Sequence, residues 1–245
     1  MSRAAAFVYG ILAYVMFLGA ILYSIGFIAN WTGLPKTIDS GGPGPVMPSI
    51  AIDLILLAIF AIQHSVMARR GFKAWWTRYV PVAVERSTYV LFSNLALILL
   101  LWKWQPLPGV VWRVESPPLA LGLAALSLVG WGVVFLSTFL INHFDLFGLK
   151  QVFDNLRELR IEDPQFHTPF LYKIVRHPLY LGFIIAFWAT PQMTVGHLLF
   201  AIVTTGYILG AIMLEERDMV AVFGQTYRNY QARVSMIVPL PPRGK

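Results

Sequence analysis

Cysteine is absent from the chain. That excludes a disulfide framework, a thiolate metal site and nucleophilic thiol chemistry. Charge is scarce as well: 13% of the 245 residues are charged and 57% are hydrophobic, where soluble domains carry roughly 25% charged residues. So little polar surface cannot cover a water-soluble globule. An ordinary cytosolic enzyme, a disordered chain and a DNA-binding domain are thereby excluded. Acidic residues are the scarcer sign, 12 against 19 Lys+Arg, which leaves a formal charge of +7. In a chain this apolar the basic excess reports the positive-inside bias of membrane proteins and not nucleic-acid binding. No metal-ligand spacing is present, so no metal is expected.

What the chain has in abundance is long apolar runs. Residues 7–29 and 119–141 are charge-free stretches of 23 residues, and about 20 such residues cross a bilayer. Two further runs, 50–68 and 88–104, are of spanning length. The Gly/Pro-rich segments 35–48 and 106–118 read as loops. From His177 to Leu214 no residue is formally charged, but Thr190-Pro191-Gln192-Met193-Thr194 interrupts the run. This predicts a helical hairpin with a short arm at 179–189 and a longer arm at 195–217. The expected fold is an all-α integral membrane protein of five to six transmembrane helices, the count depending on whether the short arm crosses. It forms one membrane domain, with a four-helix part at 1–142 and the hairpin and tail at 143–245. The segment 69–86 holds Arg69, Arg70, Lys73, Arg78 and Arg86, and the C-terminal tail holds Arg228, Arg233, Arg243 and Lys245. Both are therefore expected on the cytoplasmic side.

The C-terminal third carries the chemistry. Arg176-His177-Pro178-Leu179-Tyr180-Leu181-Gly182 opens the hairpin, and Glu215-Glu216-Arg217-Asp218 closes it. An antiparallel hairpin returns both ends to one membrane surface. Proline suits the first turn of a helix, where its missing N–H would be unpaired in any case. The other N–H groups of that turn favour an anion, with Arg176 beside them, and Gly182 allows close approach of a ligand or another helix. The two glutamates can accept from hydroxyls and offset positive charge. Such a pocket suits a zwitterion with a carboxylate, ribose hydroxyls and a cationic centre, as in S-adenosylmethionine. Composition alone also permits a bland reading, with basic residues before a span and acidic ones after it.

The set RHPLYLG, charge-free hairpin, EERD and FGQTYRNYQ resembles the membrane methyltransferases of the isoprenylcysteine carboxyl methyltransferase and phospholipid methyltransferase type. That resemblance implies S-adenosylmethionine as cofactor and S-adenosylhomocysteine as product. It carries over His177, Pro178, Tyr180, Leu181, Gly182, Glu215 and Glu216 as the cofactor site, which Arg176 joins by its place beside the first helical turn, with Gly224, Tyr227 and Tyr230 in a tail that packs over it. Across residues 50–240 the segments AIQHSVMARRGFKAWW, PVAVERSTYVLFSN, INHFDLFGLKQV and HPLYLGFIIAFWATPQMT are similar to the bacterial methanethiol S-methyltransferases. This implies a small volatile thiol as acceptor, dimethyl sulfide as product and a bacterial inner membrane; the basic segment 69–86 and the tail put the active site at its cytoplasmic face.

A thiol must lose its proton before it attacks, and a simple alkyl thiol is a weaker acid than cysteine, whose pKa is about 8.5. His64 and His143 are the candidate bases, with Asp145 placed to orient an imidazole. Asp53 reads as a helix-start residue, Ser87 or Thr88 as a cap on the third span, Gly206 and Gly210 as a helix-packing motif, and His197 as structural. Two other functions stay open. A lipid or prenyl-cysteine carboxyl methyltransferase predicts a tail-sized lateral opening. A transporter or assembly factor predicts a polar stripe through several spans.

Overall fold

The computed structural model describes residues 1–159 and 166–239. Arg243 and Lys245, counted above among the basic tail, lie outside the described residues. The described chain is mostly helical, and five helices are long and apolar enough to cross a membrane: α1 (Arg3–Ile28), α2 (Val46–Ala68), α4 (Val82–Lys103), α5 (Pro117–Ile141) and α9 (Val195–Phe223). Between them lie α3 (Arg70–Trp76), α6 (His143–Leu146), α7 (Leu149–Arg157), α8 (Pro178–Trp188) and α10 (Gln225–Arg233), and the short strands β1 (Val110–Arg113) and β2 (Gln192–Thr194). Contacts divide the described chain into two compact units that interleave in sequence, residues 1–110, 142–159 and 194–200 in the first and 111–141, 166–193 and 201–239 in the second.

In the first unit α1, α2 and α4 pack on one another, and α7 lies against α1 and α4. Ala6, Val84 and Val152 form one buried cluster and Met67, Tyr89 and Val90 another. Elsewhere Leu12, Val15 and Leu22 of α1 and Ile55 and Ile62 of α2 are exposed, as lipid-facing residues must be. Three expectations are corrected here. The third span starts earlier: Pro81 sets the start of α4 at Val82, six residues before the expected Thr88. Ser87 and Thr88 are therefore inside α4 and buried, donating to Gly148 O and Val84 O, not capping it. Asp53 sits inside α2, fully buried, and accepts from the Gln105 backbone N–H at 2.8 Å, so it ties the end of α4 and does not start a helix.

In the second unit α8 runs along α5, and both helices need glycine at the crossing. A Cβ on Gly130 would stand 2.7 Å from Gly182 O, and one on Gly182 would stand 2.7 Å from Gly130 O and 2.8 Å from Val134 N. Ser127 donates to Ala186 O at 2.9 Å, and Tyr172, in a 3-10 turn at Phe170–Lys173, reaches Ser137 O at 3.4 Å. α8 is therefore antiparallel to α5. Its 11 residues rise about 16 Å, roughly half a bilayer core. The chain then runs on through residues 189–194, whose first part bonds the segment ahead of α5: Thr190 O accepts from the Trp112 indole, and Pro191 O accepts from Val114 N at 2.8 Å. Backbone groups of this non-helical stretch are thus satisfied by protein.

The long arm also differs from expectation. α9 does not stop near Arg217 but continues to Phe223, because no residue before Gly224 opposes helix. Gly224, at φ 53°, is in the left-handed region and starts a turn into α10. Gly206 and Gly210 do not pack a helix: a Cβ on either would meet nothing within 4 Å.

Candidate functional site

The two ends of the hairpin meet in the second unit. α8 begins at Pro178, buried below 2% exposure, with His177 at its N-cap. Glu215 and Glu216 lie two turns from the end of α9. Their side chains point to different partners because adjacent helical positions diverge by about 100°. Glu216 is enclosed. Its Oε1 accepts from Arg176 Nε at 2.6 Å and stands 3.0 Å from His177 Nε2, and its Oε2 accepts from Gln231 Nε2 at 2.8 Å. The side chains of Arg176, His177 and Glu216 are 11%, 5% and 15% exposed. Glu215 is 42% exposed. Its Oε2 accepts from the Tyr180 hydroxyl at 3.0 Å and lies 4.0 Å from His177 Nδ1. Among the described residues its Oε1 has no hydrogen-bond partner.

The tail closes over this cluster. Arg176 Nη1 donates to the carbonyls of Gln231 and Val234. Arg176 N donates to Ser235 O at 2.8 Å and His177 N to Met236 O at 3.1 Å, beside a parallel bridge between Val175 and Ser235. Ile237 is buried with Ile208 and Ile212, and Tyr180 and Leu181 pack against that cluster. Tyr230 donates to Tyr172 O, and Tyr227, Tyr230 and Tyr172 are all buried. Burial pushes the Tyr230 hydroxyl up to about 12, with Arg176 opposing and Glu216 adding to the rise. Burial, then the nearby carboxylates, raises the Tyr227 hydroxyl too. These phenols stay neutral and act as donors.

The chain is 57% identical over 234 residues to Methanethiol S-methyltransferase 1 of Bradyrhizobium diazoefficiens, covering 96% of this chain and 82% of that protein. It is 50% identical over 243 residues to Methanethiol S-methyltransferase of Mycobacterium tuberculosis, covering 99% of each. The chain belongs to the methanethiol S-methyltransferase family. A more distant relative is Nurim of Rattus norvegicus, 30% identical over 221 residues, 81% of this chain and 82% of that one. No family model and no solved structure matches. The family resemblance read from residues 50–240 is thereby borne out.

Of the residues singled out from sequence, Arg176, His177, Tyr180, Glu215 and Glu216 come together in one cluster. Gly182 serves the approach of α5 to α8, and Leu181 serves the apolar packing beneath. The other three lie in the first unit. His64 in α2 stands 2.8 Å from the Tyr89 hydroxyl through Nε2 and 3.2 Å from Ser93 Oγ through Nδ1, and it stacks on Phe60. His143 is buried, with Nε2 2.8 Å from the Tyr14 hydroxyl, among Phe17, Phe144 and Phe147. Burial holds its imidazole below the usual histidine range. Asp145, in the turn begun by the Asn142 cap, accepts from Gln151 Nε2 at 2.6 Å.

Sequence reasoning missed Gln231 and Tyr172. The signal for Gln231 was available: Tyr227, Tyr230, Gln231 and Val234 fall at i, i+3, i+4 and i+7, the spacing of one helix face. Nothing local distinguishes Tyr172, whose backbone carbonyl is what the tail uses.

Proposed function

We propose that the chain transfers a methyl group from S-adenosylmethionine to methanethiol, releasing dimethyl sulfide and S-adenosylhomocysteine. The reading is supported by relatives named methanethiol S-methyltransferase at 50–57% identity over nearly the whole chain. It is carried structurally by one observation: two adjacent carboxylates with opposite environments at the mouth of the hairpin. Glu216 is consumed by protein donors, while Glu215 keeps a carboxylate oxygen for a ligand. That fits a cofactor with vicinal hydroxyls. The first turn of α8 supplies backbone N–H groups for an anionic end.

When bound, S-adenosylmethionine supplies an electrophilic methyl on a cationic sulfur, which a thiolate displaces in line. The protein's own part is to bind, orient and keep water out. Glu215, steadied by Tyr180, accepts from ribose hydroxyls. Arg176, Glu216 and Gln231 clamp the tail to the start of α8, so that Tyr172, Tyr227 and Tyr230 wall the site with neutral groups. Holding both reactants in one orientation supplies much of the rate. A dry site favours a step in which a thiolate and a sulfonium neutralise each other. The thiol proton must also leave, and His64 or His143, with Asp145, are candidates to receive it.

We place the site at the cytoplasmic face of a bacterial inner membrane, on the strength of the basic residues Arg69, Arg70, Lys73, Arg78 and Arg86. The deciding experiment is headspace detection of dimethyl sulfide from purified protein given methanethiol and S-adenosylmethionine. Absence of product, or efficient methyl-ester formation on a prenyl-cysteine, overturns the acceptor assignment.

A further inference from the structure

We propose that His177 is the catalytic base of the second unit, taking the thiol proton on Nδ1 while Glu216 fixes its tautomer through Nε2. This rests on the methyl-transfer reading above and departs from the view that His177 only lines the cofactor.

The argument begins with Glu216. A carboxylate paired with Arg176 at 2.6 Å only accepts hydrogen bonds. Its Oε1 also lies 3.0 Å from His177 Nε2. Nε2 therefore carries the hydrogen, and in the neutral ring the lone pair is left on Nδ1. Nδ1 faces the other carboxylate, with Glu215 Oε2 at 4.0 Å, a residue whose side chain opens to the outside. The imidazole is thus held by one glutamate and presents its lone pair toward the other, on the side where the cofactor hydroxyls are assigned. The ring is held by its burial, at 5% exposure, and by the Nε2 contact to Glu216, while the His177 backbone N–H is tied to Met236 O. The charged and titratable groups around it are Arg176 and Tyr180 on its own segment, Glu215 and Glu216 on α9, and Tyr227 and Tyr230 on α10.

The chemistry balances. The thiol S–H bond breaks and its proton passes to Nδ1. The sulfur lone pair forms the new S–CH3 bond as the bond from methyl to the sulfonium sulfur breaks, and that electron pair stays on the departing sulfur. The imidazolium formed lies between two carboxylates, and its proton leaves to water by way of the exposed Glu215 side.

The test uses His177→Gln in the full chain, because a glutamine amide keeps a donor for Glu216 while removing the base. S-adenosylhomocysteine affinity should stay close to wild type, and kcat at pH 7 should fall by about 10²- to 10⁴-fold. The deficit should narrow as pH rises toward the thiol pKa, where solvent supplies thiolate. Histidine 15N NMR of the ligand-free wild type, assigned by difference from His177→Gln, should show the Nε2–H tautomer for the neutral ring, a readout independent of turnover. Cofactor affinity lost in step with kcat, a pH-independent deficit, or an Nδ1–H tautomer would each overturn the assignment. A wild-type protein that makes no dimethyl sulfide would instead sink the methyl-transfer reading and leave the tautomer result standing.

Discussion

Arg176 Nε lies 2.6 Å from Glu216 Oε1, and this contact gives two neighbouring glutamates different work. The paired carboxylate holds the start of α8 and, through Gln231, the tail. The other is 42% exposed and takes only the Tyr180 hydroxyl at 3.0 Å.

The first prediction follows from that division. Glu215→Gln should fold as wild type and lose charge-assisted hydrogen bonds of about 1.5–3 kcal/mol to the cofactor, a drop of roughly tenfold to over a hundredfold in S-adenosylhomocysteine affinity. Glu216→Gln should lower the melting temperature in detergent and expose the tail to protease. Isothermal titration with melting curves for both variants checks it. Identical behaviour of the two would contradict the division.

Tyr180 steadies Glu215 through one hydroxyl. Tyr180→Phe should remove about 0.5–1.5 kcal/mol, a few-fold to about tenfold in cofactor affinity, with little change in stability. Fluorescence or calorimetric binding of S-adenosylhomocysteine reads this directly.

His143 gives a pH dependence whose sign is determined. Burial holds its folded-state pKa below the ordinary value, about 6.5 in the unfolded chain. Below that pH the unfolded chain binds a proton that the folded one refuses. Stability should therefore be fully present above about pH 6.5 and fall as pH drops through the folded-state value. Melting temperatures from pH 5 to 8 should show this slope, and His143→Phe should flatten it.

The α5–α8 crossing predicts a contrast between glycines. Gly182→Ala forces a Cβ against Gly130 O and Val134 N and should cost about 1–3 kcal/mol or more through overpacking. Gly206→Ala meets nothing and should be neutral or stabilising by up to about 1 kcal/mol from helix propensity. Equal losses in thermal denaturation would argue against the packing described.

Topology is open to reporter fusions. Fusions after Lys73 and Gln151 should read cytoplasmic, and a fusion at Gly42 external. An external reading at Gln151 would remove the cytoplasmic placement of the site.

The spans, the class and the family were legible in the sequence, because bilayer thickness imposes a run of about 20 apolar residues whatever the tertiary packing, and because RHPLYLG and EERD keep their order and spacing around a charge-free hairpin. Boundaries were less legible. α4 begins at Val82 and α9 ends at Phe223, since proline and glycine mark helix ends and charged residues such as Glu215 to Asp218 do not. What only the tertiary structure decided is which of two identical, adjacent side chains is spent and which is available. Glu215 and Glu216 are equivalent in one dimension. They differ because a helix turns them about 100° apart, so that Glu216 alone hydrogen-bonds Arg176 and His177 from the other end of the hairpin and Gln231 from the tail, partners 15 to 40 residues distant along the chain.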